Sequence, residues 1–415
     1  MAREEGGRLL ALLVDRVGGL DRAQDCLQEA YARAPSAWAR AGVPDDPTAW
    51  VYTVARNAGI DAVRREASSA RRLAAQARIL DAGVAAVPGP GEHADEGDPR
   101  IVEHAEVGDE RLRLMLLCCH PALARDAQVA LTLRLAGGLT TAEIAAAYLV
   151  PEATVAQRIV RAKRKIRAAR IPLTIPADLT ERSVALATVL GMVFNEGYLA
   201  HTAAAGTLTR AELADQAIRL TATAADALPM EPELGGLLAL ELFHRSREAA
   251  RTDADGVLVR LAEQDRSRWD RTLVSRGFAA LSLALAQRRL GPWQVQALIA
   301  AEHTRGRTDW ARIVRHYDLL RSMTPGPVVE LNRAVAVSEA DGPEAGLAVV
   351  DGITGLEDYH LFHAARGHLL ARTSRASEAA AAWRRAAALT HNPSEAAFVA
   401  ARVADAEAYE GPPRP

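Results

Sequence analysis

Apolar residues recur three and four positions apart along nearly the whole chain, and few β-branched or aromatic runs interrupt them. That spacing places side chains on one face of a helix. Strands call for alternation in steps of two and for Val, Ile and aromatic residues, yet aromatics make up only 4% of the composition. An all-α fold is expected. A chain of 415 residues with 49% hydrophobic and 25% charged residues is long enough for two or three helical domains.

No stretch approaches the roughly 20 uninterrupted apolar residues of a membrane span, and the opening "MAREEGGRLL" lacks the apolar core of a signal peptide. A cytoplasmic chain with no membrane partner is expected. Cys26, Cys118 and Cys119 read as reduced thiols, because three cysteines without a CxxC pair suit neither a disulfide framework nor zinc. "CCHP" at 118–121 is a poor metal site, since neighbours on a helix point about 100° apart.

Two breaks divide the chain. From about Ser68 to Gly108 the periodicity fades and the sequence passes through "VPGPGEHADEGDPR", which disfavours helix and favours solvation. Near "RIPLTIPADLTER", Pro172 and Pro176 stop one helix and Thr180 caps the next. The expected organisation is a domain over 1–72, a linker over 73–108, a domain over 109–170 and a large helical block over 178–415. Residues 1–170 carry a net charge of +2 and residues 171–415 carry −4. The halves therefore suit different partners.

The third block contains a repeat. A shift of 34 residues lays "PEAGLAVV" from Pro343 onto "SEAAAAWR" from Ser377, which is the tetratricopeptide period. Two units match, so a helical-repeat array and an irregular helical bundle both remain open. "EAAFVAARVADAEAY" supplies a final covering helix, and an array would offer a concave surface to a protein or peptide partner.

Between Pro151 and Arg170 stand seven Lys and Arg, with Glu152 as the sole acid. Before them, Thr140 or Thr141 caps a short helix ending near Tyr148, "LVP" makes a turn, and Pro151 begins a second helix. The pattern is a helix-turn-helix. On its second helix Val155, Ile159, Ala162 and Ile166 share the inner face. Gln157, Val160, Arg161 and Arg164 point outward, with Arg158, Lys163 and Lys165 on the flanks. Forked side chains reach base edges in a major groove, and flanking cations hold phosphates. An ordinary solvated helix usually alternates its charges, and this one does not.

A second basic surface lies in "PTAWVYTVARNAGIDAVRREASSARR", where Arg56, Arg64, Arg65, Arg71 and Arg72 face Asp61 and Glu66, with Trp50, Tyr52 and Asn57 interleaved. Aromatics among arginines suit unpaired bases. Trp50 also has core spacing, so stacking on a base and burial in a core are both open for it.

At these residues the sequence resembles a known family. "DRAQDCLQEAYARAPSAW", "DDPTAWVYTVARNAGIDAVRRE" and "DERLRLMLLCCHPALARDAQVALTLRLAGGLTTAEIAAAYLVPEATVAQRIVRAKRKIR" resemble regions 2 and 4 of extracytoplasmic-function sigma factors, in order. "FNEGYLA", "DADGVLVRLAEQDRSRWDRTL" and "GPVVELNRAVAVSEADGPEAGL" resemble the subgroup with a tetratricopeptide-like C-terminal extension. The resemblance implies that Asp25, Gln28 and Glu29 dock on core RNA polymerase. It implies that Arg56, Asn57, Asp61, Arg64 and Arg65 engage the −10 element of promoter DNA, where Trp50 is the candidate stacking residue. Positions matching Gln157, Arg158 and Arg161 would read the −35 element, within a surface of Thr154, Gln157, Arg158, Val160, Arg161, Lys163, Arg164 and Lys165. Ala156 stands where many relatives carry arginine, so their base preference does not transfer.

The function implied is promoter recognition and transcription initiation, with no cofactor and no catalysis. The alternative is a stand-alone helix-turn-helix regulator with a sensing C-terminal block; an acidic docking helix and an aromatic-arginine surface disfavour it. An enzyme is disfavoured too: GxSxG, HExxH and phosphate-cradling glycine loops are absent from the sequence, and "DADG" at Asp253 lacks the rest of a calcium loop. Asn195, Glu196, Tyr198 and His201 in "FNEGYLAH" form a polar cluster of unassigned role, a candidate docking or ligand site.

Overall fold

The computed structural model describes residues 2–17, 19–81, 107–148, 150–169, 171, 180–199, 210–255, 257–390 and 393–409. Among them the chain is helical, with no strand beyond one isolated bridge between Thr252 and Leu258, so the all-α expectation holds. The chain forms two compact units. The first spans Met1–Ala145 and Val150–Arg182; the second comprises Ala146–Leu149 and Ser183–Pro415.

In the first unit α1 (Ala2–Val17), α2 (Leu20–Ala41) and α3 (Pro47–Asp81) pack on one another. Asp46 accepts from the Ala49 amide at 2.9 Å, and Pro47 starts α3 where its missing N–H costs nothing. Gly59 lets α1 and α3 meet: a Cβ there would lie 2.2 Å from Val17 Cγ1. α3 runs on to Asp81, past the break expected near Ser68 and the domain end at 72. "ARRLAAQARILD" lacks an apolar stripe but is rich in Ala, Arg and Leu, whose intrinsic preference sustains the helix. Residues 82–106 of the expected linker lie outside the described residues.

α4 (Val107–Cys118) packs on α1, and α5 (Arg125–Leu131) leads into a π-helical turn over Thr132–Ala136. α6 (Thr141–Ala147) and α7 (Glu152–Ala168) follow. Thr140 Oγ1 accepts from the Glu143 amide at 3.1 Å, while Glu143 Oε2 accepts from the Thr140 amide at 2.8 Å. This reciprocal pair is a capping box, and it selects Thr140 over Thr141 as the cap. Pro151 sits one residue outside α7, at the cap itself. Cys118 and Cys119 are fully buried, and burial pushes both thiols up, that of Cys119 to about 12.

The second unit takes up α8 (Thr180–Leu199) from Ser183 and continues through α9 (Arg210–Ala227), α10 (Pro232–Arg245), α11 (Arg271–Ala286), α12 (Pro292–Thr304), α13 (Trp310–Met323), α14 (Pro327–Ala340), α15 (Pro343–Asp351), α16 (His360–Arg372), α17 (Ala376–Leu389) and α18 (Pro393–Tyr409). From α12 onward successive helices pack against their chain neighbours. One apolar core continues from Leu331 and Ala334 in α14 through Leu347, Leu369 and Trp383 to Val399 in α18. Gly346 permits the close crossing of α15 on α14, where a Cβ would fall 2.4 Å from that of Ser338. Asp253 closes a turn by accepting from the Asp255 and Val257 amides at 3.0 and 2.8 Å, a structural use of "DADG".

Candidate nucleic-acid interface

α7 buries Val155, Ile159, Ala162 and Ile166, the four residues expected on its inner face. Gln157, Val160, Arg161, Arg164 and Lys165 are exposed, and Thr154 is partly so. Val160 leaves 58% of its surface in water, beside the exposed Gln157, Arg161 and Arg164. Arg161 folds back on its own helix, its Nε 3.3 Å from the Gln157 carbonyl and an NH2 3.5 Å from Gln157 Oε1. The two side chains thus form one forked donor-acceptor surface, the geometry suited to base edges. Arg158 is engaged differently, pairing with Asp126 at the start of α5 at 3.0 Å.

Lys163, on a flank of α7, is held by another helix. It is half-buried and reaches α2, where Asp21 lies 3.4 Å away and Gln24 Oε1 accepts from it. Arg167 pairs with the same Asp21. Burial lowers the Lys163 ammonium from its ordinary value, against the pull of Asp25. The sequence contains no local sign of this contact, because Gln24 and Lys163 are 139 residues apart.

α2 points Ala23, Cys26, Leu27, Ala30 and Ala34 into the core, which leaves Asp25, Gln28 and Glu29 exposed. Glu29 pairs with Arg33 on the next turn. Asp21, Asp25, Glu29, Arg65, Lys163 and Arg167 line one cleft of about 850 Å³. The cleft therefore brings members of all three expected surfaces together.

On α3, Asn57, Asp61, Arg64 and Arg65 are exposed and Arg56 partly so. Arg56 donates to Asn57 Oδ1 at 3.5 Å, Arg65 donates to the Asp61 carbonyl at 3.2 Å, and Glu66 is drawn to Arg22 at 2.5 Å. Trp50 takes an intermediate place: it is half-buried, with its ring edge-on to Trp38 at 5.5 Å. Both functions left open for it remain physically compatible, since an edge-packed ring keeps a face for stacking.

Family models match in this order: sigma-70 region 2 over residues 1–69, sigma-70 region 4 over 113–166, and a family of unknown function, DUF6596, over 182–285. The chain belongs to the sigma-70 family. Region 2 holds α1 to α3, region 4 holds the helix-turn-helix, and the rest is a C-terminal extension. An uncharacterized protein of Rhizobium meliloti (strain 1021) is 44% identical over 390 residues, 92% of this chain and 89% of the relative. No solved structure matches the chain. The two sigma-70 regions support a promoter-recognition role and a non-enzymatic transcription factor. No helix among the described residues is long and apolar enough to cross a membrane.

The structure describes the side chains of two members of the polar cluster of "FNEGYLAH". Asn195 is exposed, the Glu196 side chain and His201 lie outside the described residues, and Tyr198 is half-buried against Phe194 and His244, with ring centroids at 5.5 and 4.9 Å. Tyr198 instead joins Arg247 and Arg251, two residues outside every motif of the sequence considered above. Their one local signal is "HRSREAAR" at 244–251, four basic residues in eight.

Proposed function

We propose that this chain is a sigma factor of the extracytoplasmic-function type, which binds core RNA polymerase through Asp25, Gln28 and Glu29 on α2. Trp50, Arg56, Asn57, Asp61, Arg64 and Arg65 engage the −10 element, and Thr154, Gln157, Arg158, Val160, Arg161, Lys163, Arg164 and Lys165 form the −35 surface. The region 2 domain extends through α3, a linker follows, and the extension from about 178 is a tetratricopeptide-like regulatory domain.

The observation that carries this reading is the asymmetry of α7. Its inner face is wholly apolar, while its outer face joins an exposed valine to a Gln157–Arg161 fork and flanking cations. That arrangement has little use except against a groove lined with bases and phosphates. Asp21 holds Lys163 and Arg167 beside Asp25 and Glu29. A basic partner arriving at the acidic residues would compete for Asp21 and release two cations toward DNA. Polymerase binding and promoter reading are then coupled.

The test is transcription in vitro from promoter DNA with core polymerase and the purified full chain. Promoter-dependent transcripts above those of core alone are expected. Transcription no better than core alone overturns the proposal, and duplex binding without it would point to a stand-alone regulator.

A further inference from the structure

Away from the sigma-70 regions, the second unit gathers donors and cations around one aromatic pair. Arg247 follows the end of α10, and its NH2 donates to the Tyr198 hydroxyl and to His244 Nδ1, each at 2.7 Å. Both acceptors are neutral groups. A guanidinium carries five N–H donors, and no described carboxylate side chain is in ion-pair contact with this one. Its carbon lies 5.9 Å from the Trp269 ring centre, and that of Arg266 lies 5.6 Å from the same ring. Arg251 stacks 3.7 Å over Tyr198, with Glu248 at 3.4 Å as its described counter-charge.

A second observation points the same way. Trp269 is 6% exposed, and its buried indole N–H has no acceptor among the described residues. A buried donor left without an acceptor is costly and rare in folded proteins. The histidines add no negative charge: burial and the neighbouring arginines hold His244 well below its ordinary value and His303 at about 4, so both are neutral at pH 7. Tyr198, His244, Arg247 and His303 each keep part of their surface open to solvent.

We propose that the cluster of Tyr198, His244, Arg247, Trp269 and His303 binds a small oxyanion ligand, a carboxylate or a phosphate. The oxyanion accepts from the unused guanidinium N–H groups of Arg247 and from the Trp269 indole N–H, and the aromatic rings provide a flat wall beside it. A fork-shaped cation matches two oxygens of one group, which favours carboxylate and phosphate over spherical halide. The proposal is independent of promoter recognition, because every residue in it belongs to the second unit.

The test uses the full chain at matched ionic strength, with chloride, inorganic phosphate or benzoate as the probe and thermal unfolding as the readout. Phosphate or benzoate is expected to raise the melting temperature above that in chloride, in a saturable way. Phosphate alone would identify a phosphoryl ligand; benzoate alone, an aromatic carboxylate. Arg247→Gln should weaken the effect at least about tenfold, the factor expected for a charged hydrogen-bond pair. Trp269→Phe, which keeps the ring and removes the N–H, should weaken it without unfolding the chain and serves if Arg247→Gln fails to fold. No stabilisation by either anion beyond chloride, or equal stabilisation of Trp269→Phe and the unmodified chain, would overturn the site.

Discussion

The Asp21 carboxylate on α2 holds Lys163 on α7 at 3.4 Å and takes Arg167 one turn further on. One acid thus occupies two of the seven cations between Pro151 and Arg170. Asp21→Asn should leave the fold intact, since partly exposed ion pairs contribute about 0–1 kcal/mol each. It should strengthen binding of the chain to duplex DNA and steepen its salt dependence by about one unit of slope for each further phosphate neutralised. Salt titration of DNA binding measures this, and an unchanged slope would show that the two cations are not held back from DNA.

Arg161 and Lys165 should behave differently although both are exposed on α7. Arg161→Ala removes the fork built with Gln157. It should cost about 1–3 kcal/mol and relax preference at one base position. Lys165→Ala should weaken all sequences alike and lower the salt slope by about one. Binding measured against a set of altered −35 sequences separates the two, and equal behaviour would refute the assignment of the face.

Glu29→Arg should abolish association with core polymerase while the chain stays folded. Glu29 is exposed, and its described partner is Arg33 on its own helix, so charge reversal opens no cavity. Co-purification with core polymerase and helical circular dichroism together decide the matter. Normal complex formation would remove α2 as the docking surface.

What sequence can and cannot reveal follows from the range of the forces involved. The inner face of α7 is set by a local period, and its four buried residues are legible for that reason. The cap at Thr140 is equally local. By contrast α3 outruns its apolar stripe on intrinsic helix preference alone, so a period search stops short of Asp81. Lys163 is held by a partner on a distant helix, and the Tyr198, Arg247 and Trp269 cluster draws on three separate segments. Charge pattern identifies a cationic helix but not which of its cations the fold itself has paired.

Acid should weaken the second unit in a defined window. Burial and nearby arginines lower His303 and His368 to about 4 from the ordinary 6.5. The unfolded chain therefore binds more protons than the folded chain between those values. Stability from this source is fully present above pH 6.5 and is lost as pH falls from 6.5 toward 4. His368→Gln should flatten that part of the curve, since Arg260 then faces a neutral side chain at every pH. Thermal unfolding across roughly pH 4–7 reads the effect, and a flat profile in the unmodified chain would contradict the buried neutral histidines.

The C-terminal extension should be required for transcription rather than merely inhibitory. It exceeds half the chain, and from α12 to α18 its helices stack on their neighbours, with one core continuing from α14 to α18, a build that presents surface to a protein or peptide. Its acidic balance disfavours contact with promoter phosphates. An acidic surface is also suited to masking a basic helix, so the sign of the effect has to be measured. The cut belongs after Arg182 rather than Arg170, because Arg182 donates to the Leu116 carbonyl at 2.8 Å and so helps to hold the first unit together. A chain ending at Arg182 should remain helical and bind core polymerase, yet support less promoter-dependent transcription than the full chain. Higher transcription from the shortened chain would establish masking, because loss of the extension would then have removed an inhibitor rather than a recruiting surface.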